Sequence, residues 1–401
     1  MTKAGKMNKA ASNNKPGILF VHNLYLQRGG EDTVVQHEIN MLRQHGYTVY
    51  YKAYSNQLLK NKFASFLFVP LFLFFNPFSF IEIFLLVKRK KIKVVHVHNF
   101  FYTASPSVFW AAKLAGAQTL FTLHNYRLFC LNGIFFRNGH ICLDCHTNKH
   151  FKKGIEEKCF QSSKLSSYAL AKATFFHRTT GTWTKKVDKF VVINPYQSAL
   201  LNDIGIENDK IIYKPNIISQ GLYATKTDYS QRGDYYLYVG RLSKEKGIEH
   251  LIEAFKGSNK KLVVVGNGEL ANFVIENKTA NIDYRGALKQ EEIFHLYANC
   301  KALIFPSLWL EGMPMTIIEA QSTGTITIAA GSENTARMIE NGKTGYLYEA
   351  GNINSLLAVI NIFEAQNQDE LNRLSDHVYR QYLDQYAEQN YLDAAKLLYQ
   401  S

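Results

Sequence analysis

Glu311 and Glu319 stand with seven residues between them in KALIFPSLWLEGMPMTIIEAQSTG, residues 301–324. Two carboxylates at a set spacing can exchange a proton or grip hydroxyl groups. Two cations, Arg241 and Lys246, flank LSKE in GRLSKEKG. Placed at a strand end, such a pair can hold a diphosphate and offset the charge that develops on a phosphate leaving group. GNGE at 266–269, Gly29-Gly30-Glu31 and His124-Asn125 complete the polar sets. Singly, each is ordinary. A Gly-Gly pair is a common turn, a basic loop is usually solvated, and a carboxylate near a helix start can simply satisfy the dipole. Together they point to chemistry, because all fall just after strands, where open α/β sheets bind ligands.

Alternating apolar runs and helical spacings set those strand ends. Strands are predicted at 17–21, 47–52, 94–97, 118–123, 189–193 and 211–213. Helices fall between them at 32–45, from 105–106 to a stop at Gly116, at 161–179 and at 194–204. A polar stretch at 214–233 reads as a linker. The pattern then restarts, with strands at 235–239, 262–265, 282–285, 301–305, 325–329 and 346–348, and the last 50 residues are largely helical. Pro314 suits the first turn of the helix that carries Glu319, Gly324 its left-handed stop, and the free N–H groups at its start suit a phosphate. Two doubly wound domains with a crevice between them follow.

The 401 residues are enough for two cores. Net charge is +13, which favours an anionic partner (nucleic acid, anionic lipid or a phosphorylated substrate) without choosing among them. Residues 1–16 are polar and read as a disordered leader, not a secretory signal. Five cysteines, an odd number, fit a reduced cytoplasmic protein.

Two stretches break the alternation. Residues 63–87, FASFLFVPLFLFFNPFSFIEIFLLV, hold nine phenylalanines. Lys60 and Lys62 precede them, and Lys88, Arg89, Lys90, Lys91 and Lys93 follow. The length would span a bilayer, but Pro70, Asn76, Pro77 and Glu82 interrupt it. Residues 63–93 therefore read as a segment that dips into an anionic membrane surface; the alternative is a pair of buried helices under a basic loop. Residues 125–160 carry Cys130, Cys142, Cys145 and Cys159, with His140 and His146 nearby. The two-residue spacing of Cys142 and Cys145 is that of a metal knuckle, so structural zinc stands against reduced, partly buried thiols. In either case this insertion positions other groups and takes no direct part in chemistry.

The set GRLSKEKG, VVGNGEL, YRGAL and SLWLEGMPMTIIEAQSTG, in that order, resembles the retaining glycosyltransferases of family four, which have the GT-B fold. GILFVHNLYLQRGGEDTVVQHEINMLRQHGYTV and VVHVHN are similar to it too, so the resemblance runs from Gly17 onward. HNYRLFCLNG…CLDC resembles a subset found in polysaccharide-assembly clusters. The Phe-rich segment has no counterpart in the common pattern.

The resemblance implies an α/β protein of two Rossmann-like domains facing a central cleft. Residues 17–216 would form the acceptor side and 217–380 the nucleotide-sugar side, with 381–401 returning as helix to the N-terminal domain. Glu319 would hold the ribose hydroxyls. Glu311 would hold donor-sugar hydroxyls, beside Gly312, Met313 and Pro314. Arg241 and Lys246, next to Gly240, would bind the diphosphate and stabilise it as it leaves. Gly29 and Gly30 would let backbone approach the phosphates from the other domain, His124 would contact the donor sugar, and Glu31 would face the acceptor. No Asp-x-Asp pair is placed for magnesium, so no catalytic cofactor is expected. In the implied retaining mechanism the donor phosphate takes the acceptor's proton, which leaves Glu311 a positioning group.

The resulting expectation is a peripheral enzyme on the inner face of the cell membrane. It would pass a sugar from a UDP-sugar to a lipid-linked glycan in capsule, exopolysaccharide or lipopolysaccharide assembly. The rivals are a GT-B epimerase and a non-catalytic basic adaptor for membrane or nucleic acid. Nucleic acid is disfavoured because the phenylalanines are contiguous and not interleaved with cations for base stacking.

Overall fold

A computed structural model describes residues 15–24, 30–56, 71–218 and 226–399. Two six-stranded parallel sheets organise them. The first uses β1 (Ile18–Leu24), β2 (Val49–Ser55), β3 (Val94–Asn99), β4 (Gln118–Leu123), β7 (Lys189–Val192) and β8 (Ile211–Tyr213), in the order β2-β1-β3-β4-β7-β8. The small antiparallel pair β5 (Phe136–Arg137) and β6 (His140–Ile141) lies in the Cys-bearing insertion. The second sheet uses β9 (Tyr236–Val239), β10 (Leu262–Val265), β11 (Ile282–Gly286), β12 (Ala302–Phe305), β13 (Thr327–Ala330) and β14 (Gly345–Tyr348), in the order β11-β10-β9-β12-β13-β14. Strand order reverses between β1 and β3 and between β9 and β12, and crevices form at such switch points.

The inner strands are buried apolar runs, as strands covered by helices on both faces must be. At one seam the two domains share a core: Val34, Ile193 and Ile218 pack in a single cluster with Met313, Met315 and Ile317. The C-terminal helix Glu388–Tyr399 lies on the first sheet, with Tyr391, Ala395, Leu398 and Tyr399 buried among Ile18, Phe20, Val35 and Val94. Burying each large side chain there contributes about 2 kcal/mol. The stretch after β8 differs from a solvated linker: Lys214, Asn216, Ile217 and Ile218 are all buried.

Residues 57–70, much of the Phe-rich stretch, lie outside the described residues. Its remainder forms the helix Pro77–Lys90, with Asn76 Oδ1 accepting from the N–H groups of Phe78 at 3.0 Å and Ser79 at 3.4 Å. Ser79, Ile83 and Val87 form a buried stripe, whereas Phe78 is 73% exposed and Ile81 and Leu85 are also bare. One face of this helix is therefore core and the other is exposed apolar surface. With the helical turn before it, Leu71–Lys90 makes a 20-residue stretch of mean hydropathy 1.8, long and apolar enough to cross a membrane by length and composition, with Asn76 and Pro77 interrupting it.

The insertion is made of very short pieces, the hairpin and the helices Asp144–Thr147 and Lys152–Glu156. Phe135, Asn138, Lys149, Lys158, Gln161 and Ser162 all take positive φ there. Side chains other than glycine avoid that conformation, so this backbone relies on tertiary contacts to hold it.

Candidate active site

Glu311 lies in the loop after β12 and is 4% exposed. A buried carboxylate needs donors, and one oxygen, Oε1, receives three: Lys246 Nζ at 2.6 Å, Ser307 Oγ at 2.6 Å and Trp309 Nε1 at 2.8 Å. Lys246 also lies 5.1 Å from the Trp309 ring centre. It is presented by the short turn Lys244–Lys246, which ends at Gly247. Gly247 has φ 70°, and a Cβ there would fall 2.0 Å from the Pro306 carbonyl oxygen. Only glycine lets this turn lie against the end of β12.

Arg241 does not join that group. Its side chain is 55% exposed and its Nη2 is 3.5 Å from Glu245 Oε1, which also accepts from Ser243 Oγ at 2.6 Å. Gly240 spends its N–H on the Val265 carbonyl at 3.0 Å, so that donor is structural.

The carbonyls of the Glu311 loop are held by amides from both domains. Asn194 Nδ2 donates to Gly312 O at 2.8 Å and Asn216 Nδ2 to Met313 O at 3.0 Å. Asn334 Nδ2 donates to Glu311 O at 2.5 Å and to the Tyr126 hydroxyl at 3.0 Å, and Tyr126 donates to Glu311 O at 3.3 Å. Among the described residues no protein group accepts from the N–H of Gly312 or Met313. A Cβ on Gly312 would lie 3.0 Å from Ile193 Cδ1 and 3.3 Å from His124 O, which leaves the domains no room for a side chain. Pro314 caps the helix Met315–Ser322 from just outside it, one position earlier than a first-turn proline.

Glu319 sits in the second turn of that helix and is partly exposed. Burial pushes its carboxyl up to about 7, against the opposing hydrogen bond from Tyr297 OH at 3.0 Å. A carboxyl short of donors suits a ligand with hydroxyls to offer, since hydrogen bonds to the anion favour it.

From the other domain, Gly30 opens the helix Gly30–Gln44 with its Cβ position 3.8 Å from Met315 Cγ. Two helices of opposite domains therefore start at the same place, and their N-terminal N–H groups suit an anion. Gly29 lies outside the described residues. Glu31 is not turned to open solvent: its Oε1 is 3.8 Å from His22 Nδ1, while His22 Nε2 meets Asp32 Oδ1 at 2.7 Å. His124, at the end of β4, meets His98 Nδ1 through its Nε2 at 2.9 Å, and burial holds it well below its ordinary pKa.

Cys130, Cys142, Cys145 and Cys159 are all free thiols, and Cys130 Sγ donates to Asn132 Oδ1 at 2.9 Å. Burial, then the neighbouring thiols, push Cys145 up to about 12. The four are near enough to feel one another. The tightest metal-like trio among the described residues lies elsewhere, with ligand atoms of Glu38, His96 and His98 all within 4.8 Å of one another. That trio already holds a cation, since the buried Lys214 ammonium pairs with Glu38. Both His96 nitrogens are also used, by Tyr399 OH at 2.6 Å and Thr122 Oγ1 at 2.7 Å. His140 and His146 are engaged apart from the thiols, with Asn138 O and Asp203.

Sequence reading named Glu311, Lys246, Glu319, Gly30, Gly312 and His124; the fold brings Lys246 to Glu311, Gly30 to Met315 and Gly312 to the His124 carbonyl, with Glu319 beside Tyr297 along the Met315 helix. Sequence reading missed Ser307, Trp309, Tyr126, Asn216, Asn334 and Tyr297. Trp309 stood inside the glutamate motif, and a local donor to Glu311 was readable there. Asn194 caps the helix Pro195–Asn202, accepting from Gln197 N at 3.0 Å. Its second bond, across the cleft, left no trace in the local pattern.

Residues 225–381 match the family described as Glycosyl transferases group 1. An uncharacterized glycosyltransferase of Methanocaldococcus jannaschii is 27% identical over 47% of this chain and 53% of its own length. The Escherichia coli UDP-Gal:alpha-D-GlcNAc-diphosphoundecaprenol alpha-1,3-galactosyltransferase is 30% identical over 30% of this chain and 34% of its own. The chain thus spans about half, or less, of the length of these curated relatives. An Anabaena protein solved in complex with UDP-glucose superposes with a TM-score of 0.66 over 96% of this chain and 100% of its own, at 15% identity, a likeness of fold.

Proposed function

From the match of residues 225–381 to the group 1 glycosyl transferases, we propose that the whole protein is a family-four-like enzyme that moves a sugar, with retention, from a nucleotide donor to a growing glycan. The observation that carries this is the Lys246–Glu311 pair in the loop that leads into the Met315 helix, whose start meets the Gly30 helix start, with Glu319 further along the same helix. In this reading Glu319 takes the ribose hydroxyls. The Gly30 and Met315 helix starts and Lys246 take the diphosphate, with Arg241 free to fold in from its exposed position. Glu311 and the N–H groups of Gly312 and Met313 take the sugar. The bond from the anomeric carbon to the phosphate oxygen breaks as the acceptor hydroxyl attacks from the same face, and its proton passes to the departing phosphate. Cations that stabilise the leaving diphosphate supply the electrostatic help.

A UDP-sugar donor and a lipid-linked acceptor in polysaccharide assembly are the finer part of the proposal. The donor and acceptor in the name of the Escherichia coli relative support both. The N-terminal domain supports membrane docking at the cytoplasmic face. Phe78, Ile81 and Leu85 lie bare beside a second helix, Lys164–Thr179, whose Leu165, Tyr168 and Phe175 are exposed on one face. The Phe74 ring, just before the first helix, meets Phe176 of the second at 5.7 Å, and cations lie on both, with Lys88, Arg89 and Lys90 in the last turn of the first helix, Lys91 after it, and Lys172 on the second. Structural zinc on the four cysteines completes the proposal. Nothing in the cleft favours the epimerase or adaptor alternatives.

The test is a thermal-shift screen with UDP, GDP, ADP and their sugar conjugates, followed by transfer assays on Glu319→Ala and Lys246→Ala. A ligand of the folded state raises apparent stability, so one donor should stand out, and both variants should lose transfer when assayed well below their own Tm, which for Lys246→Ala is lowered. Full activity in both would sink the proposal.

A further inference from the structure

Behind His124 runs a buried file of polar groups that donor binding does not use. His98 is buried in β3, its ring stacked on His124 and on Phe20, with centres 5.2 and 5.1 Å apart. Its Nδ1 meets His124 Nε2 at 2.9 Å. Its other nitrogen, Nε2, has no hydrogen-bond partner among the described residues and faces Glu38 Oε2 at 3.9 Å. Glu38 comes from the helix Gly30–Gln44, is buried, and pairs through Oε1 with the buried Lys214. Its Oε2 also takes a bond from Tyr391 OH at 3.3 Å, on the C-terminal helix. The titratable groups around His98 are thus Glu38, His96, His124, Lys214 and His22.

Hydrogen placement follows from which atoms face which. Ion-paired with Lys214, Glu38 is a carboxylate and only accepts. A bare nitrogen lone pair against it would be repelled, so His98 carries its proton on Nε2. A neutral imidazole has one donor and one acceptor, which makes His98 Nδ1 the acceptor. The 2.9 Å contact then requires His124 Nε2 to donate. His124 in turn is left with a bare Nδ1. That atom meets no protein group among the described residues, and the partly exposed ring borders a small cavity with Asn99, Leu123 and Arg127. Both imidazoles are neutral, because burial and the Lys214 charge hold them far below their ordinary pKa.

We propose that Glu38 and His98 are positioning residues for His124: they fix both rings as Nε2–H tautomers, so that His124 offers a lone pair to the donor sugar and accepts a hydrogen bond from one of its hydroxyls. This rests on the donor-site reading above. The same carboxylate touches the helix that opens at the cleft, the start of the connection between domains and the returning C-terminal helix, so the register of all three is felt at His124. An outer carboxylate that selects a histidine tautomer through its far nitrogen is a common device around reactive centres.

Two measurements test it on the full chain. In nitrogen-15 histidine-labelled protein without ligand, long-range proton–nitrogen spectra should show His98 and His124 each protonated at Nε2 and bare at Nδ1. A protonated Nδ1 on His124 overturns the assignment, whatever the enzyme does. In the second, His98→Phe keeps the stacked ring and removes both nitrogens, and Glu38→Gln combined with Lys214→Met avoids stranding a buried ammonium. Each should keep UDP affinity within about twofold while losing about tenfold of the extra affinity that a UDP-sugar has over UDP, the worth of one hydrogen bond. Equal losses for UDP and UDP-sugar, tracking a fall in Tm, would mean a merely structural role and defeat the proposal. Absence of any nucleotide binding in the unaltered protein would instead remove the donor-site reading and leave the tautomer result to be judged alone.

Discussion

Asn194 of the N-terminal domain donates to the carbonyl of Gly312 in the C-terminal domain at 2.8 Å, and a methyl group on Gly312 would press on Ile193 Cδ1 at 3.0 Å and the His124 carbonyl at 3.3 Å. The loop that carries Glu311 is thus a shared part of both domains. Gly312→Ala would force a contact of 3.0 Å with Ile193 Cδ1. Overpacking of this kind costs about 1–3 kcal/mol, and relief by parting the domains would misplace Glu311. We expect Gly312→Ala to lower stability in urea by that amount and to raise KM for the donor. Asn194→Ala, which opens space, should raise KM with less loss of stability.

Among the described residues Lys246 is the only charged donor to Glu311, and the pair is largely buried. Removing one partner of a buried pair costs about 3–5 kcal/mol, while the pair itself contributes far less. Lys246→Met should therefore destabilise strongly, and adding Glu311→Gln should restore much of the loss. Urea denaturation of the two single variants and the double variant reads the coupling directly.

Glu319 gives the free protein a pH signature. Its folded pKa, about 7, stands above the ordinary 4.5. Between those values the folded state holds the proton that the unfolded chain has lost, so this group's contribution is full below about 4.5 and is lost as pH rises through about 7. Hydroxyl donors from a bound nucleotide would pull the pKa back down. Calorimetry near pH 6 in buffers of different ionisation enthalpy should show a proton released on nucleotide binding. Glu319→Gln should show none.

The helix Pro77–Lys90 separates core from surface residue by residue. Ile83 is fully buried and Phe78 is not. Ile83→Ala should cost about 2–5 kcal/mol of stability. Phe78→Ser with Phe175→Ser should leave stability within about 0.5 kcal/mol and release the protein from anionic vesicles in a flotation assay. Phe74, which packs against Phe176, is a poorer choice for that experiment.

For the insertion, elemental analysis of protein purified without added metal should find one zinc per chain. Cys142→Ser should lose it together with several degrees of Tm. Metal-free protein of unchanged stability would leave the four thiols as reduced packing groups.

The alternation of strands and helices, their order, and the placing of Glu311 and His124 after strand ends and of Glu319 within the following helix were all legible in the chain. These rest on local periodicity and on residues that act within a turn, such as Gly116 at φ 86° and Gly324 at φ 70°, which end helices where they were expected to. The fate of the Phe-rich stretch was half legible, because composition reports apolarity but not which face finds a neighbour. Partners were not legible. Lys214 meets Glu38 across 176 positions, Tyr126 meets Glu311 across 185 and Tyr399 meets His96 across 303. Arg241 looked equivalent to Lys246 and lies outside its group. A hydrogen bond between distant residues imposes no period on either stretch, so only the packing of two sheets and a returning helix decides it. By itself, the sequence determined the alternation of strands and helices and which polar residues stand at their ends. The tertiary structure decided which atoms in it are paired, which are left to accept a ligand, and through whom His124 is held.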